Sequence, residues 1–244
     1  MNHSYGVQLY SVRDFTEKDL ASALKQVAEI GYRSVEFAGF FGHGAEEVRA
    51  MLDEYGLVCA GSHSGWEDLR PTRIMDTIRF HKTIGNPDYV IPGAFLEEPG
   101  AIDEFVKVVN FAKPILEAEG IRLSYHNHSD EFYLQPWGST IHGELEKRAT
   151  LDFEIDTFWA WNAGADPVLT LERLKDRVHL IHLKDGFKQS DKNGYALGEG
   201  EAPVKAVRDK AASLGITMIV ESEGLNPDGM SQIARCMDYL KSID

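Results

Sequence analysis

A single (β/α)8 barrel spanning residues 1–244 is the fold class this sequence predicts, on three observations. Eight short apolar runs alternate with longer amphipathic stretches. The length of 244 residues matches the roughly 250 that such a barrel needs. Polar residues able to bind a metal or move a proton end several of the runs, as expected where strand ends build one active-site mouth.

The predicted strands are Gly6–Leu9, Ser34–Phe37, Val58–Gly61, Tyr89–Ile91, Ile121–Tyr125, Leu151–Ile155, Val178–Leu183 and Ile216–Val220. Of the helical stretches between them, Leu20–Tyr32, Ala45–Leu57 and Glu104–Gly120 are the clearest. In the second, Val48, Met51, Leu52 and Tyr55 form an i, i+3, i+4, i+7 stripe, and Gly56 supplies a left-handed C-cap. Strands recurring about every 25 to 35 residues imply parallel pairing through right-handed crossovers. No linker or change in composition marks a domain boundary.

An open doubly wound sheet is the rival architecture, but it calls for a glycine-rich phosphate loop after an early strand. The first such turn reads LYSVRDF, with neither GxGxxG nor a P-loop. The barrel is therefore preferred.

Composition limits the partners. A formal charge of −14, from 39 acidic and 25 basic residues, opposes attraction to nucleic acid or anionic lipid. No apolar stretch approaches the roughly 18 residues needed to span a bilayer, and MNHSYGVQLY has no signal-peptide pattern. A soluble cytoplasmic protein acting on a small molecule is expected. Cys59 and Cys236 lie far apart without CxxC spacing, which suggests neither a metal knuckle nor a disulfide framework.

The candidate chemistry lies in the second half. His126 opens an H-N-H triplet, and period-2 alternation puts His126 and His128 on one face while Tyr125 and Asn127 take the other. Asp156 ends FEID, where a helix cap is the ordinary role for an aspartate. Glu154 shares its face, two residues deeper. His182 lies in the apolar run VHLIHL, where an unpartnered imidazole is costly. Lys184 shares its parity, whereas His179 should face the outer helices. Glu221 follows one of the most apolar runs in the chain, and carboxylates are rarely buried unpaired.

Two imidazoles and two carboxylates suit one divalent ion of borderline softness, such as manganese, cobalt, iron or zinc, better than magnesium or calcium. Manganese heads that expectation and magnesium closes it. Glu36, His63 and Trp66 from the first half, with His128, Glu154 and Trp159, are the candidate substrate-binding residues. Polar groups beside aromatic faces suit a polyhydroxylated ligand, a sugar or keto-sugar. Trp137 and Trp161 are further candidates for the pocket wall, although aromatic residues after strands are often ordinary packing. A homo-oligomer is compatible with the sequence.

In order and across essentially the full chain, the segments GVQLYSVRD, GYRSVEFAGF, YHNHSDEF, IDTFWAWNAGADP, LIHLKDG and LGEG resemble the xylose isomerase-like TIM barrels described as sugar phosphate isomerases/epimerases. D-tagatose 3-epimerase and inosose dehydratase are similar members. In the epimerase branch a metal is held by Glu, Asp, His and Glu at the ends of the fifth to eighth strands. The resemblance carries the Asp to Asp156, the His to His182 and the last Glu to Glu221, whereas the first Glu falls on His126. Trp159 stands where that branch has a substrate-contacting His.

The implied activity is metal-dependent isomerisation or epimerisation of a sugar through an enediolate. Glu221 is the expected base, His126, His128 or Glu154 the opposing acid, and Lys184 an assisting cation. Elimination from a keto-sugar or keto-inositol is the alternative, since His126 breaks the symmetry of a two-glutamate acid/base pair. A DNA-repair endonuclease of the same superfamily would need more ligands and a basic groove, against the charge of −14. A non-catalytic sugar-binding barrel is the remaining class.

Overall fold

The computed structural model describes residues 3–188 and 194–244. All eight predicted strands form: β1 Gly6–Gln8, β2 Ser34–Phe37, β3 Val58–His63, β4 Asp88–Ile91, β5 Arg122–His126, β6 Asp152–Asp156, β7 Val178–Leu183 and β8 Thr217–Val220. They close into one parallel barrel in sequence order, with β8 pairing back onto β1.

Parity along each strand separates two interiors. One set, including Val7, Val35, Phe37, Tyr125, Phe153, Ile155, Ile181 and Leu183, packs outward under the surrounding helices in the main core. The other set points into the barrel. There Val90, Leu180 and Ile219 form a separate small apolar cluster. In β7, His182 has the same parity as Leu180, one step nearer the C-terminal end of the strand, and it pairs in register with Asp156 of β6. The upper barrel is therefore polar, and it stands on a thin apolar floor. His179, on the outward parity, is half-buried with its Nε2 3.6 Å from Asp152.

The helices follow their terminal signals. Leu20–Ile30 begins where Asp19 accepts a hydrogen bond from the Ser22 amide, and Ala45–Tyr55 ends at Gly56 with φ of 65°, the left-handed conformation that glycine adopts without strain. Within the predicted stripe, Val48 and Leu52 are buried while Met51 and Tyr55 are half-buried. The stretch expected over 104–120 runs instead from Pro99 to Ala118. Proline at the first helical turn extends the start, because its missing N–H has no helical partner to lose. No helix among the described residues is long and apolar enough to cross a membrane.

Candidate metal centre

Four strand ends bring the inward polar residues together. His126 ends β5, Glu154 and Asp156 end β6, and His182 lies in β7. Glu221 follows β8, and its amide donates to Leu183 O at 3.0 Å. One ligand atom from each of His126, Asp156, His182 and Glu221 lies within 4.8 Å of the others. His126 Nε2 is 3.2 Å from His182 Nδ1, which is 3.2 Å from Glu221 Oε2. Asp156 Oδ2 is 3.7 Å from His126 Nε2 and 3.8 Å from His182 Nδ1.

These separations fit a shared ion, since bonds of about 2.0–2.2 Å to nitrogen and oxygen place neighbouring ligand atoms roughly 3–4 Å apart. Asp156 divides its two oxygens. Oδ1 accepts from the Trp159 amide at 2.8 Å, capping the helix Thr157–Asn162, whereas Oδ2 is buried without a hydrogen-bond partner. The capping role expected of an aspartate here and a ligand role are thus compatible in one side chain. Asn127, just beyond β5, fixes its position, accepting from the Asp156 amide at 3.1 Å and donating to the Asp156 carbonyl at 3.2 Å.

His182 is oriented from behind. Its Nε2 meets Glu36 Oε2 at 2.7 Å, and the Gln8 amide donates to the same oxygen at 2.8 Å. With Nε2–H donating to this carboxylate, Nδ1 is left facing the cluster, the usual arrangement behind a metal-binding histidine. His63 Nε2 meets Glu154 Oε2 at 2.9 Å, and Glu154 Oε1 lies 3.3 Å from His182 Nε2. His63, His126, Glu154 and His182 form a second group of convergent donors. Glu154 is fully buried and engaged by both imidazoles, however, whereas Glu221 reaches the cavity.

Buried charge is concentrated at this group. Glu36, Glu154, Asp156 and Glu221 are all buried, and Lys184 is the buried ammonium among them. Its Nζ lies 3.2 Å from Glu221, contacts Glu223, and sits 4.5 Å from the Trp159 ring centre. Burial opposes the charge of Lys184, yet Glu221, Asp156 and Glu223 hold its pKa above the usual value. Burial likewise opposes a proton on His182, but Glu154 and Glu221 raise its pKa well above normal. Burial would raise the pKa of Glu221, and Lys184 and His182 lower it far below the carboxylate range. Asp156 is lowered in the same way, by Lys184 and His126 against its burial. Burial and the nearby Glu154 raise Glu36 to about 7, while burial lowers His126 to about 4.

The group borders a cavity of about 510 Å3 lined by Tyr10, His63, His126, His128, Trp159, Glu221 and Glu223, with Ala38, Gly39 and Pro92. Of the anticipated substrate-binding residues, His63, His128 and Trp159 line it, whereas Glu36 and Glu154 lie fully buried beneath. His128 is held by Glu131, which accepts from its amide at 2.8 Å and from the Tyr125 hydroxyl at 2.9 Å. Trp66 is placed elsewhere, edge-on to Phe105 with Arg70 over its face. Trp137 packs on the main core, and Trp161 lies between Phe158 and Lys188. Sequence reasoning missed Gln8, Tyr10, Asn127 and Glu223. Gln8 shares the parity of Glu36's partner face, and Glu223 repeats the parity of Glu221. For Tyr10, beyond the end of β1, there was no such signal.

A family model described as "Xylose isomerase-like TIM barrel" matches residues 24–243. The chain is 24% identical over 186 residues to inosose dehydratase of Geobacillus kaustophilus, covering 66% of this chain and 60% of that enzyme's length. It is 24% identical over 236 residues to 2-oxo-tetronate isomerase of Haemophilus influenzae, covering 86% and 89%. A sugar phosphate isomerase/epimerase from Parabacteroides distasonis superposes with a TM-score of 0.85 at 23% identity, over 99% of this chain and 94% of that one.

Proposed function

The chain belongs to the xylose isomerase-like TIM barrel family, and from that premise we propose that it is a divalent-metal-dependent sugar isomerase or epimerase working by proton abstraction next to a ketose carbonyl. The observation that carries this reading is the buried group His126, Asp156, His182 and Glu221 at the edge of the cavity. Manganese is the proposed ion, with cobalt, zinc, iron or magnesium as alternatives. Bound there, a divalent ion would polarise the carbonyl and its neighbouring hydroxyl and stabilise enediolate charge.

Glu221 is the base: it stands on the cavity wall, and Lys184 and His182 keep it ionised. Its Oε2 faces the group, so Oε1 is the atom proposed to take the proton. Lys184 acts through Glu221 and Glu223 as a positioning residue. His128, on the same wall with its backbone amide bonded to Glu131, returns the proton at another face or carbon. His126 supplies a ligand nitrogen, and Glu36 with Glu154 orients the imidazoles. His63 and Trp159 contact substrate.

The test is solvent exchange. The manganese-loaded protein, incubated with ketohexoses and ketopentoses in D2O, should exchange the hydrogen next to the carbonyl and yield a new isomer by NMR. A folded, metal-loaded protein that exchanges no hydrogen in any of them would contradict the proposal. One observation favours a second reading, elimination: His126 occupies the place where the epimerase resemblance puts a glutamate, leaving one carboxylate and one imidazole as an asymmetric pair. Growth of enone absorbance in place of an isomer would select it.

A further inference from the structure

Resting on the reading above, we infer that the ligand of this site is an uncharged polyhydroxylated molecule, without phosphate, that reaches from the His126–Glu221 group into an adjoining chamber. Barrels that bind phosphates frequently do so with backbone amides in the loops after the seventh and eighth strands and at a nearby helix N-terminus. In this chain a side-chain carboxylate already occupies that position. Asp185, two residues beyond β7, accepts from the amides of Gly186 at 2.8 Å and Ala202 at 3.0 Å on Oδ1. Its Oδ2 accepts from Gly198 at 2.8 Å and Gly200 at 3.1 Å.

Four amides therefore enclose an internal anion. Glycine at position 200 makes the enclosure close: a Cβ there would lie 2.3 Å from Asp185 Oδ1 and 2.4 Å from the Gly186 amide nitrogen. After β8 three further amides are also taken by side chains. Ser222 donates to Ser11 at 3.0 Å, Asn226 to Gln232 at 2.9 Å, and Gly229 to Asp14 at 3.2 Å. Asp228 caps the final helix, Gly229–Ile243, through the Ser231 amide at 2.7 Å. A phosphate would have to displace Asp185 or lie beside it as a like charge, which is unfavourable.

The cavity walls agree. A chamber of about 270 Å3 shares His128, Trp159 and Glu223 with the main cavity and adds Ser129, Asp130, Tyr133 and Asn162. Among the described residues, no lysine or arginine lines either space. Two cations that touch lining residues are already engaged: Lys184 by Glu221 and Glu223, and Arg13 by the carbonyls of Tyr10 and Glu223, each at 2.9 Å. What remains suits hydroxyls and C–H faces. Trp159 is buried with no partner for its indole N–H, and it lines both spaces.

The test uses the whole chain loaded with manganese and a set of ketohexoses, each paired with its terminal phosphate ester. Binding is read by tryptophan fluorescence and turnover by NMR. Free sugars binding at least about tenfold more tightly than their esters are expected. Esters that bind equally or better, with turnover retained, would overturn the inference and leave the isomerase reading intact. No binding or turnover of any member would overturn both.

A second measurement uses inorganic phosphate alone on Asp185→Ser. Emptying the amide nest should create a phosphate site, so that phosphate raises the unfolding midpoint of the variant by roughly 3 °C or more, with little change in the wild type. Equal stabilisation of the wild type would contradict the inference. Should the variant fail to fold, the paired sugars on the wild type still decide.

Discussion

Replacing Glu221 with Gln is expected to slow exchange of the substrate hydrogen by about a thousandfold, within the 10²–10⁴ contributed by a positioned base. The amide keeps the volume of the side chain but cannot take a proton, and it removes a negative charge that Lys184 and His182 both face. Measured at saturating manganese, the loss should appear in kcat. A loss of less than tenfold at full metal occupancy would remove Glu221 from the role of base. Lys184 offers a control on the same point. Its Nζ reaches Glu221 and Glu223 from a fully buried position, so it acts on the carboxylates and not on the ligand.

The second large effect falls on a residue that does not touch the cavity. Glu36→Gln should weaken metal affinity by about 10–100-fold, the usual cost of losing the carboxylate behind a metal-binding histidine. Glu36 Oε2 is the acceptor for both His182 Nε2 and the Gln8 amide, so it fixes which imidazole nitrogen faces the cluster. Excess manganese should restore activity to the variant. An activity loss that excess metal fails to rescue would mean that Glu36 acts directly on the ligand, as the sequence suggested. Titration of manganese by calorimetry, alongside turnover at each concentration, separates the two.

Alternation along the strands makes the placement of much of this group legible in the sequence. Period 2 put His126, Asp156 and His182 on inward faces, and the apolar run before Glu221 marked a carboxylate that needed a partner. Parity gives a face but not a height. Glu36 and Glu154 share the inward face and yet lie beneath the cavity, where they hold His182 and His63. The register shifts within the β2–β3 and β6–β7 pairings contribute to those heights, and they arise from strand pairing that a single sequence does not display.

Beyond the strand ends the pattern stops. Asn127 and Glu223 are set by loop conformation, and Tyr10 and Trp66, the latter turned onto Phe105, by short 3-10 turns after β1 and β3. Asp185 is the plainest case. In the sequence it is one more acidic residue after a strand, and its meaning depends on four amides, three of them 13 to 17 residues further along, that close around it.

Elemental analysis of the purified protein after reconstitution with manganese, cobalt or zinc tests most directly whether His126, Asp156, His182 and Glu221 hold a divalent ion. About one ion per chain, retained through gel filtration and lost in His182→Ala, is the predicted result. A folded wild-type chain that retains no manganese, cobalt or zinc would contradict it.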